Sequence, residues 1–456
     1  MLTIANADRV LVDPSTELGG GPDAPELTVD DGSPHPSVLD ASGCVVTPGL
    51  VNAHHHLLQS AFRTLPGTRG VPMAEWLPAM AAAYARVGHD PESYSLAASI
   101  GAAESLLCGV TTIADHHLNW PHGAAIADTV ALARATADAV RALGARLVFV
   151  RGSARDDPEW AAESADAVAT ALVPDGALAT GAGGESSGGV HASEVRAGGV
   201  TADGMLQVAV GPAGVHSDSR ETFLALGAVA ARRGLRRRTQ ANEQVDTAIA
   251  LERYGRRPLD LLDEWGWLEP GVTLAHLCDI TPSEIARLAQ AGVTATHAPG
   301  CDVPMGWGIA PVAALLDAGV AVGLGTSGGG SNDAGHLLAD ARLAMQVSGL
   351  AGAQLPARTV LGMATEGSAV GLGRPELGHL RAGSAGDLCV WDVSGVADAG
   401  VHDPVAGLVW ASPGRRPRHV VVGGRVVVRN YELVTACERE LAARLRERLA
   451  RTPTVI

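Results

Sequence analysis

The sequence predicts an α/β protein: a (β/α)8 barrel with a small β-sandwich domain formed by both ends of the chain. Two observations favour this fold class. From Gly49 to Pro375, eight short apolar runs typical of strands alternate with longer helical stretches. Outside that region, polar turns rich in Gly, Pro and Asp separate strand-like runs with no helix between them.

These changes in pattern predict the domain boundaries. Residues 1–48 and 376–433 are expected to form the small β-sheet domain, and residues 49–375 the barrel. Residues 434–456 are expected to hold a charged, amphipathic C-terminal helix. The Gly- and Ser-rich segment 174–204 is predicted to be a mobile loop that could act as a lid.

Each predicted element follows from its local pattern of apolar residues and turn formers. The predicted barrel strands are 49–53, 111–115, 146–152, 206–212, 235–243, 272–276, 293–299 and 321–327. Predicted helices between them include 94–107, 124–143, 219–233, 282–291 and 310–318. Near the C-terminus, GDLCVWDV predicts a strand and HVVVGGRVVVRN a hairpin that turns at Gly423-Gly424.

Composition and charge exclude several classes of partner. The net charge of −15 argues against nucleic acid, because phosphate binding needs a basic surface. The sequence has no apolar run of about 18 residues, so no membrane partner is expected. Six cysteines without a CxxC pair predict free thiols in a reducing compartment, and we therefore expect a cytoplasmic protein.

The histidine triplet that closes the first predicted barrel strand carries the strongest chemical signal. Side chains two residues apart on a strand share a face, so His54 and His56 point together and His55 points away. Two imidazoles side by side at a strand end are typical of a transition-metal site. Active sites of (β/α)8 barrels lie at the carboxyl ends of the strands, where this pair falls.

Other predicted strands also end in residues that can ligate a metal or move protons. The fifth strand carries Gln240 and Glu243, the sixth ends at His276, the seventh at His297, and the last runs into Ser327. A lone histidine at a strand end is commonly a satisfied hydrogen-bonding group. Four histidines on three strand ends instead indicate one shared site.

The order and spacing of these motifs resemble the amidohydrolase superfamily: VTPGLVNAHHH, QANE, LAH, THAP and GLGTSGGGSND. MAEWL, TTIADHH, MGWGIAP and GVHDPVAGL resemble its branch of guanine and 8-oxoguanine deaminases and triazine hydrolases, especially the triazine chlorohydrolases. The resemblance spans essentially the whole chain. It implies a homodimeric hydrolase acting on a C–N or C–halogen bond of a small-molecule nitrogen heterocycle, such as a triazine, purine, pteridine or pyrimidine.

The resemblance implies a role for each strand-end residue. His54 and His56 match the metal-binding pair, and Glu243 matches the glutamate that passes protons between water, ring and leaving group. His276 matches the histidine that polarises the attacking water, and it could also serve as a ligand. Substrate contacts are expected from Gln59, Trp76, His216, His297 and Trp307. Trp307 either stacks on a planar ring or packs as a rim residue of the barrel core.

Two positions depart from the family pattern. Gln240 stands where the family has a third metal-binding histidine, and a neutral amide is a weak ligand for zinc. Ser327, a catalytic candidate, stands where most of the family has an aspartate, although the triazine chlorohydrolases also have a hydroxyl residue there. We therefore expect zinc, with iron or a metal-free site as alternatives. In the metal-free case the protein would bind or transform a heterocycle through Glu243 and His276.

Arg238 admits two placements. It lies two residues before Gln240, so in a regular strand it would share the inward face, where it could take over part of a metal's charge role. A buried guanidinium needs partners, however. The run RRR therefore favours a solvated turn before a strand that begins later.

Overall fold

The structure is a computed structural model that describes residues 1–19, 26–121, 123–174 and 197–451. Most of the predicted loop 174–204 lies outside the described residues. Within the described ranges, no helix is both long and apolar enough to cross a bilayer.

Eight parallel strands in chain order form a closed barrel, which confirms the predicted fold class. The strands are Leu50–His56, Val110–His117, Arg146–Ser153, Leu206–Pro212, Arg236–Ala241, Val272–His276, Thr294–His297 and an interrupted last strand, Val322–Leu324 plus Ser327–Gly328. The first part of the last strand pairs with the seventh strand, and the second part pairs with the first. This break turns Ser327 beside the histidine triplet, in register with His55.

Helices surround the barrel, and one of them, Ser368–Leu372, packs against apolar side chains of its interior. They are Met73–Val87, Pro91–Leu107, Ile126–Ala142, Pro158–Leu172, Arg220–Arg233, Gln244–Tyr254, Pro258–Glu264, Pro282–Ala291, Pro299–Asp302, Val312–Asp317, Leu337–Ala351, Ala357–Gly362, Ser368–Leu372, Pro404–Trp410 and Glu438–Ala450. A π-helical turn, Met363–Gly367, joins two of them, and two short 3₁₀ turns occupy Leu57–Ala61 and Val396–Asp398. Several helices start at a side-chain cap; Thr281 and Glu284, for example, form a capping box.

Strands from both chain ends form two further sheets. One has three strands: Leu2–Ala5, Leu27–Val29 and Ser37–Asp40. The other runs, in spatial order, Glu432–Leu433, Arg425–Arg429, His419–Val422, Leu388–Asp392, Cys44–Pro48, Arg9–Asp13 and Thr16–Gly19. Leu2, Ile4, Val10, Val46 and Val390 belong to one buried cluster between the two sheets, as in a β-sandwich.

The preference for a solvated turn at Arg238 was wrong. Arg238 is 3% exposed inside the barrel, where it donates to the carbonyls of Ala53 and Gly371 and to the Thr296 hydroxyl. Arg236, one layer below, also donates to the Gly371 carbonyl at 3.0 Å. Gly371 lies in the last turn of a helix whose carboxyl end carries partial negative charge. That end supplies the partners that the sequence could not reveal.

Candidate active site

A cavity of about 590 Å³ opens at the carboxyl ends of the barrel strands. Seven of the residues predicted for the site line it: His56, Gln59, Trp76, His216, Gln240, Trp307 and Ser327. Four others, His54, Glu243, His276 and His297, are not part of its described lining and are almost fully buried. The predicted residues therefore divide between the wall of one cavity and the layer of side chains behind it.

Three imidazoles cluster at one end of this site. The ring centroid of His54 lies 4.8 Å from that of His56 and 5.2 Å from that of His276. A zinc ion with Zn–N distances of about 2.1 Å in a tetrahedral site would place its imidazole centroids about 5 Å apart. The spacings of His54 from His56 and of His54 from His276 match that requirement.

Hydrogen bonds fix how the imidazoles are oriented. His56 Nδ1 donates to the His116 carbonyl at 2.7 Å, and His276 Nδ1 donates to Asp302 Oδ1 at 2.5 Å. Such bonds from one ring nitrogen are how proteins aim the other nitrogen at a metal. His54 Nε2 is buried and has no hydrogen-bond partner among the described residues. An orphaned ring nitrogen between two oriented imidazoles suits a metal ligand.

The charge states of His54 and His56 also suit a metal, whereas the pKa of His276 is raised because the effect of its burial is outweighed by Asp302 and Glu243. Burial, reinforced by the neighbouring histidines, lowers the pKa of His54 well below its ordinary value. Burial lowers the pKa of His56 to about 4. Neutral imidazoles keep the lone pair that coordinates a cation.

Gln240 completes this group. Its Nε2 donates to the Ala213 carbonyl at 3.2 Å, which turns its Oε1 to a point 3.0 Å from His276 Nε2. The amide oxygen therefore faces the same space as the imidazole nitrogens. Three imidazoles and one weak oxygen donor fit a catalytic zinc or iron ion.

Glu243 lies buried behind the cavity wall with neither carboxylate oxygen hydrogen-bonded to a described residue. Its Oε1 is 3.8 Å from His276 Nε2. Burial raises the pKa of Glu243, although the charges of His276 and His216 oppose the shift. A carboxyl group with a raised pKa and free oxygens suits a group that accepts and returns protons.

Asp302 organises the histidines of two strands. Besides its bond to His276, its Oδ2 lies 3.6 Å from His297 Nδ1. His276, Cys301 and Asp302 also bring potential ligand atoms within 4.8 Å of one another. Burial raises the pKa of the Cys301 thiol, however, and Asp302 already accepts from His276. This trio therefore shares His276 with the imidazole cluster, and Asp302 orients its ring.

Contacts with neighbouring groups of the protein fix the side chains that were predicted to touch the substrate. Gln59 Oε1 accepts from the Gly330 amide at 3.0 Å, and Trp76 Nε1 donates to the Gly330 carbonyl at 3.1 Å. Trp307 meets His276 edge to face, with ring centroids 5.2 Å apart. These side chains form firm walls on which a planar ring can rest.

His216 brings a positive charge to the cavity. Its Nδ1 lies 3.1 Å from Asp246 Oδ1. Burial alone would lower the pKa of His216, but the hydrogen bond to Asp246 and the charges of Glu243 and Asp246 raise it to about 9. His216 is therefore protonated at neutral pH.

Backbone strain is concentrated at the strand ends of this site. Asn242, His276, Leu277 and Ser327 all have positive φ, between 52° and 77°. That region is costly for residues with a side chain and is retained mostly where function requires it. The strain places Glu243 and the His276 ring where a regular strand ending would not.

Sequence reasoning missed three residues of the site. His116 accepts from His56, and its ring Nε2 donates to the Gly211 carbonyl at 2.9 Å. Asp302 and Asp246 orient His276 and His216. The paired histidines at the end of the second strand could have indicated His116. Asp302 and Asp246 follow strands by several residues, and no strand-end pattern marks them.

Comparisons with known proteins agree with this geometry. Residues 45–427 match the profile of the amidohydrolase family. The chain is 34% identical to an 8-oxoguanine deaminase from Pseudomonas aeruginosa, over 90% of this chain and 89% of that protein. It is 32% identical to an isoxanthopterin deaminase from an unknown prokaryotic organism, over 87% of this chain and 83% of that one.

Solved structures show the same likeness. A mutant atrazine chlorohydrolase from Arthrobacter aurescens, complexed with zinc and atraton, superposes with a TM-score of 0.83 and 33% identity. The match covers 98% of this chain and 100% of that one.

Proposed function

The chain belongs to the amidohydrolase family and is a hydrolase of C–N or C–Cl bonds in nitrogen heterocycles; we propose that its reaction is the hydrolytic deamination of an amino-substituted purine or pteridine. The observation that carries the proposal is the placement of Glu243 beside three clustered imidazoles, those of His54, His56 and His276, at the inner end of one cavity. Similarity to deaminases of 8-oxoguanine and isoxanthopterin supports the choice of ring.

We propose that His54, His56 and His276, with Gln240 as a weak fourth donor, hold one zinc or iron ion. When bound, such an ion acts as a Lewis acid and lowers the pKa of water. The similar atrazine chlorohydrolase is complexed with zinc, which supports this choice of metal.

The protein's own residues would carry the protons. Glu243 accepts a proton from the attacking water and delivers it to the ring nitrogen next to the reacting carbon. The water oxygen bonds to that carbon, the C–NH₂ bond breaks, and Glu243 passes the second water proton to the departing amine. Ammonia leaves and the ring keeps a carbonyl group. The hydrogen bond from His276 Nδ1 to Asp302 keeps the Nε2 side of the His276 ring turned toward the reacting centre.

The cavity walls would orient the ring. Trp307 lies against His276, and Trp76 is fixed to the Gly330 carbonyl. Both indoles line the cavity, so they can flank a planar heterocycle and exclude bulk water.

Displacement of chloride from a triazine is the second candidate. Ser327 favours it, because a hydroxyl residue at this position resembles the triazine chlorohydrolases. The structural match to an atrazine chlorohydrolase also supports it. Both reactions use the same attack by water, and they differ in the leaving group.

Product analysis on a small panel separates the two candidates. The purified protein is incubated with 8-oxoguanine, isoxanthopterin, 5′-methylthioadenosine and atrazine, and both ammonia and chloride are measured. We expect ammonia from at least one of the two oxo-heterocycles. Chloride from atrazine without ammonia from any purine or pteridine would replace deamination with the second candidate. Release of neither would contradict both.

We also propose a homodimer that works in the cytoplasm. The family resemblance supports the dimer. The six cysteines, none of which forms a disulfide, support a reducing compartment.

A further inference from the structure

Two arginines border the outer part of the active-site cavity. Arg155 and Arg253 line it, and both are exposed, whereas Gln240 and His56 at its inner end are buried. Arg155 lies just beyond the third barrel strand with a left-handed backbone, φ +68°. Arg253 lies on the helix Gln244–Tyr254 that begins immediately after Glu243, and it donates to the His216 carbonyl at 3.2 Å.

The charged side chains along this cavity are basic. Its described lining contains Arg155, Arg253 and His216 and no Asp or Glu, and its other ionisable side chains, His56, Tyr84 and Cys301, are neutral at neutral pH. This is unusual in a chain with 49 acidic and 34 basic residues. A cavity wall of one sign attracts ligands of the opposite sign.

The carboxylates close to Arg155 and Arg253 in the chain or in space bind other groups. Asp156 pairs with Arg151 at 2.8 Å, and Asp246 pairs with His216. Asp218 accepts from Ser153 and Ser217 and from the backbone amide of Arg155. In the part of the chain that the structure describes, no carboxylate oxygen lies within ion-pair distance of either the Arg155 or the Arg253 guanidinium. Two guanidiniums at a cavity mouth are thus available to a ligand.

We propose that the substrate carries a carboxylate, which Arg155 and Arg253 bind at the mouth while the amino-bearing ring lies against Glu243 and His276. Guanidinium groups bind carboxylates through paired, charge-assisted hydrogen bonds. The lining also includes the apolar side chains Met73, Leu77 and Ile249, together with the polar Asn119 and Ser217. This inference rests on the proposed function, because it assumes that the ring binds beside Glu243.

Binding of a matched pair of probes tests the inference. Pterin and pterin-6-carboxylate differ by one carboxylate, and both are fluorescent. Their dissociation constants are measured on the Glu243→Gln protein, which should not turn them over. We expect the carboxylate to bind at least about tenfold more tightly, because it adds charge-assisted hydrogen bonds to the two guanidiniums. Arg155→Gln and Arg253→Gln should each reduce that preference, and raised salt should weaken it.

Controls make the outcome decisive. Arg429→Gln removes an exposed arginine of the strand Arg425–Arg429, in the seven-stranded sheet, and should leave the preference unchanged. Equal or tighter binding of pterin, no binding of either probe, or a preference that survives both cavity substitutions would overturn the inference. Tighter binding of adenosine 5′-monophosphate than of pterin-6-carboxylate would overturn the choice of carboxylate.

The proposed function fails separately. Ammonia release from neutral and carboxylated rings at equal kcat/KM would preserve deamination and remove the carboxylate site. Tighter binding of pterin-6-carboxylate than of pterin, without ammonia release from any heterocycle, would preserve the carboxylate site and remove deamination.

Discussion

Glu243 is the residue on which the proposed proton transfers depend. Its carboxylate oxygens have no described partner, and burial raises its pKa. Glu243→Gln keeps the shape but removes the proton acceptor, so kcat should fall by roughly 10²–10⁴-fold while substrate affinity changes little. Steady-state kinetics and calorimetry measure the two effects. Glu252→Gln, an exposed change on the following helix, should preserve kcat. A kcat within tenfold of wild type would remove Glu243 from the mechanism.

Gln240 is the residue that most distinguishes this site from its family. Its oxygen faces His276, so a histidine there would add an imidazole donor to the same group. Gln240→His should raise zinc affinity by about tenfold or more, as measured by competition with a chromogenic chelator. Gln244→His places a new imidazole on an exposed position nearby and should have no such effect. Equal affinities in Gln240→His and wild type would show that residue 240 does not face the metal.

The sequence predicted the position of a site residue correctly where that residue lies at the carboxyl end of a barrel strand. His54, His56, Gln240 and His276 come together because parallel strands carry their carboxyl ends to one edge. Asp302 and Asp246 were not predicted as site residues. They lie beyond the strand ends, so the path of the chain after each strand, and not strand periodicity, brings them to the histidines. The burial of Arg238 was not predicted because its main partners are backbone carbonyls, and no sequence pattern indicates which carbonyls a side chain will meet.

At the scale of elements, close strand contact constrains the barrel beneath the site. A β-carbon on Gly211 would lie 1.6 Å from the Arg238 carbonyl oxygen of the neighbouring strand. Gly211→Ala should therefore lower the melting temperature sharply or prevent folding, because backbone cannot move aside cheaply. Calorimetry of the purified variant measures the change.

Gly227→Ala is the matched control. Gly227 lies within the helix Arg220–Arg233, where an added β-carbon would meet Trp267 at an ordinary 3.5 Å. Replacing a helical glycine with alanine stabilises by roughly 0.5–1 kcal/mol, so its melting temperature should hold or rise. Similar behaviour of the two variants would contradict the packing at Gly211.

Sequence periodicity located most barrel elements well. The predicted bounds 206–212, 272–276 and 282–291 match the structure, and the fifth strand ends at Ala241, short of the predicted 243. Asn242 leaves the extended region there, with φ +52°. Neither this ending nor the break in the last strand could be predicted, because both depend on how neighbouring strands close the barrel.

For the whole molecule, a buried ion pair joins the barrel to the start of the strand Leu388–Asp392 in the seven-stranded sheet. Arg146 on the third barrel strand donates to both oxygens of Asp387, at 2.8 and 2.9 Å. Each side chain is 4% exposed. Asp387→Asn would leave a buried guanidinium without its charge partner, a loss of about 3–5 kcal/mol of stability. Thermal unfolding should show a clear drop.

The control for this prediction is an exposed pair. Glu264→Gln removes a partner of Arg256, and the two side chains are 46% and 45% exposed. Solvent screens such a pair, so its melting temperature should stay near that of wild type. If Asp387→Asn also left the melting temperature near that of wild type, the stability of the molecule would not depend on the ion pair between Arg146 and Asp387.

The central claim is that His54, His56 and His276 form a metal centre despite Gln240 and Ser327. The most direct test is the metal content of protein purified after zinc-supplemented expression, measured by mass spectrometry against protein concentration. We predict about one metal ion per chain, lost in the His54→Ala, His56→Ala double variant. A content near zero in the wild-type protein, or one unchanged by the double substitution, would contradict the claim.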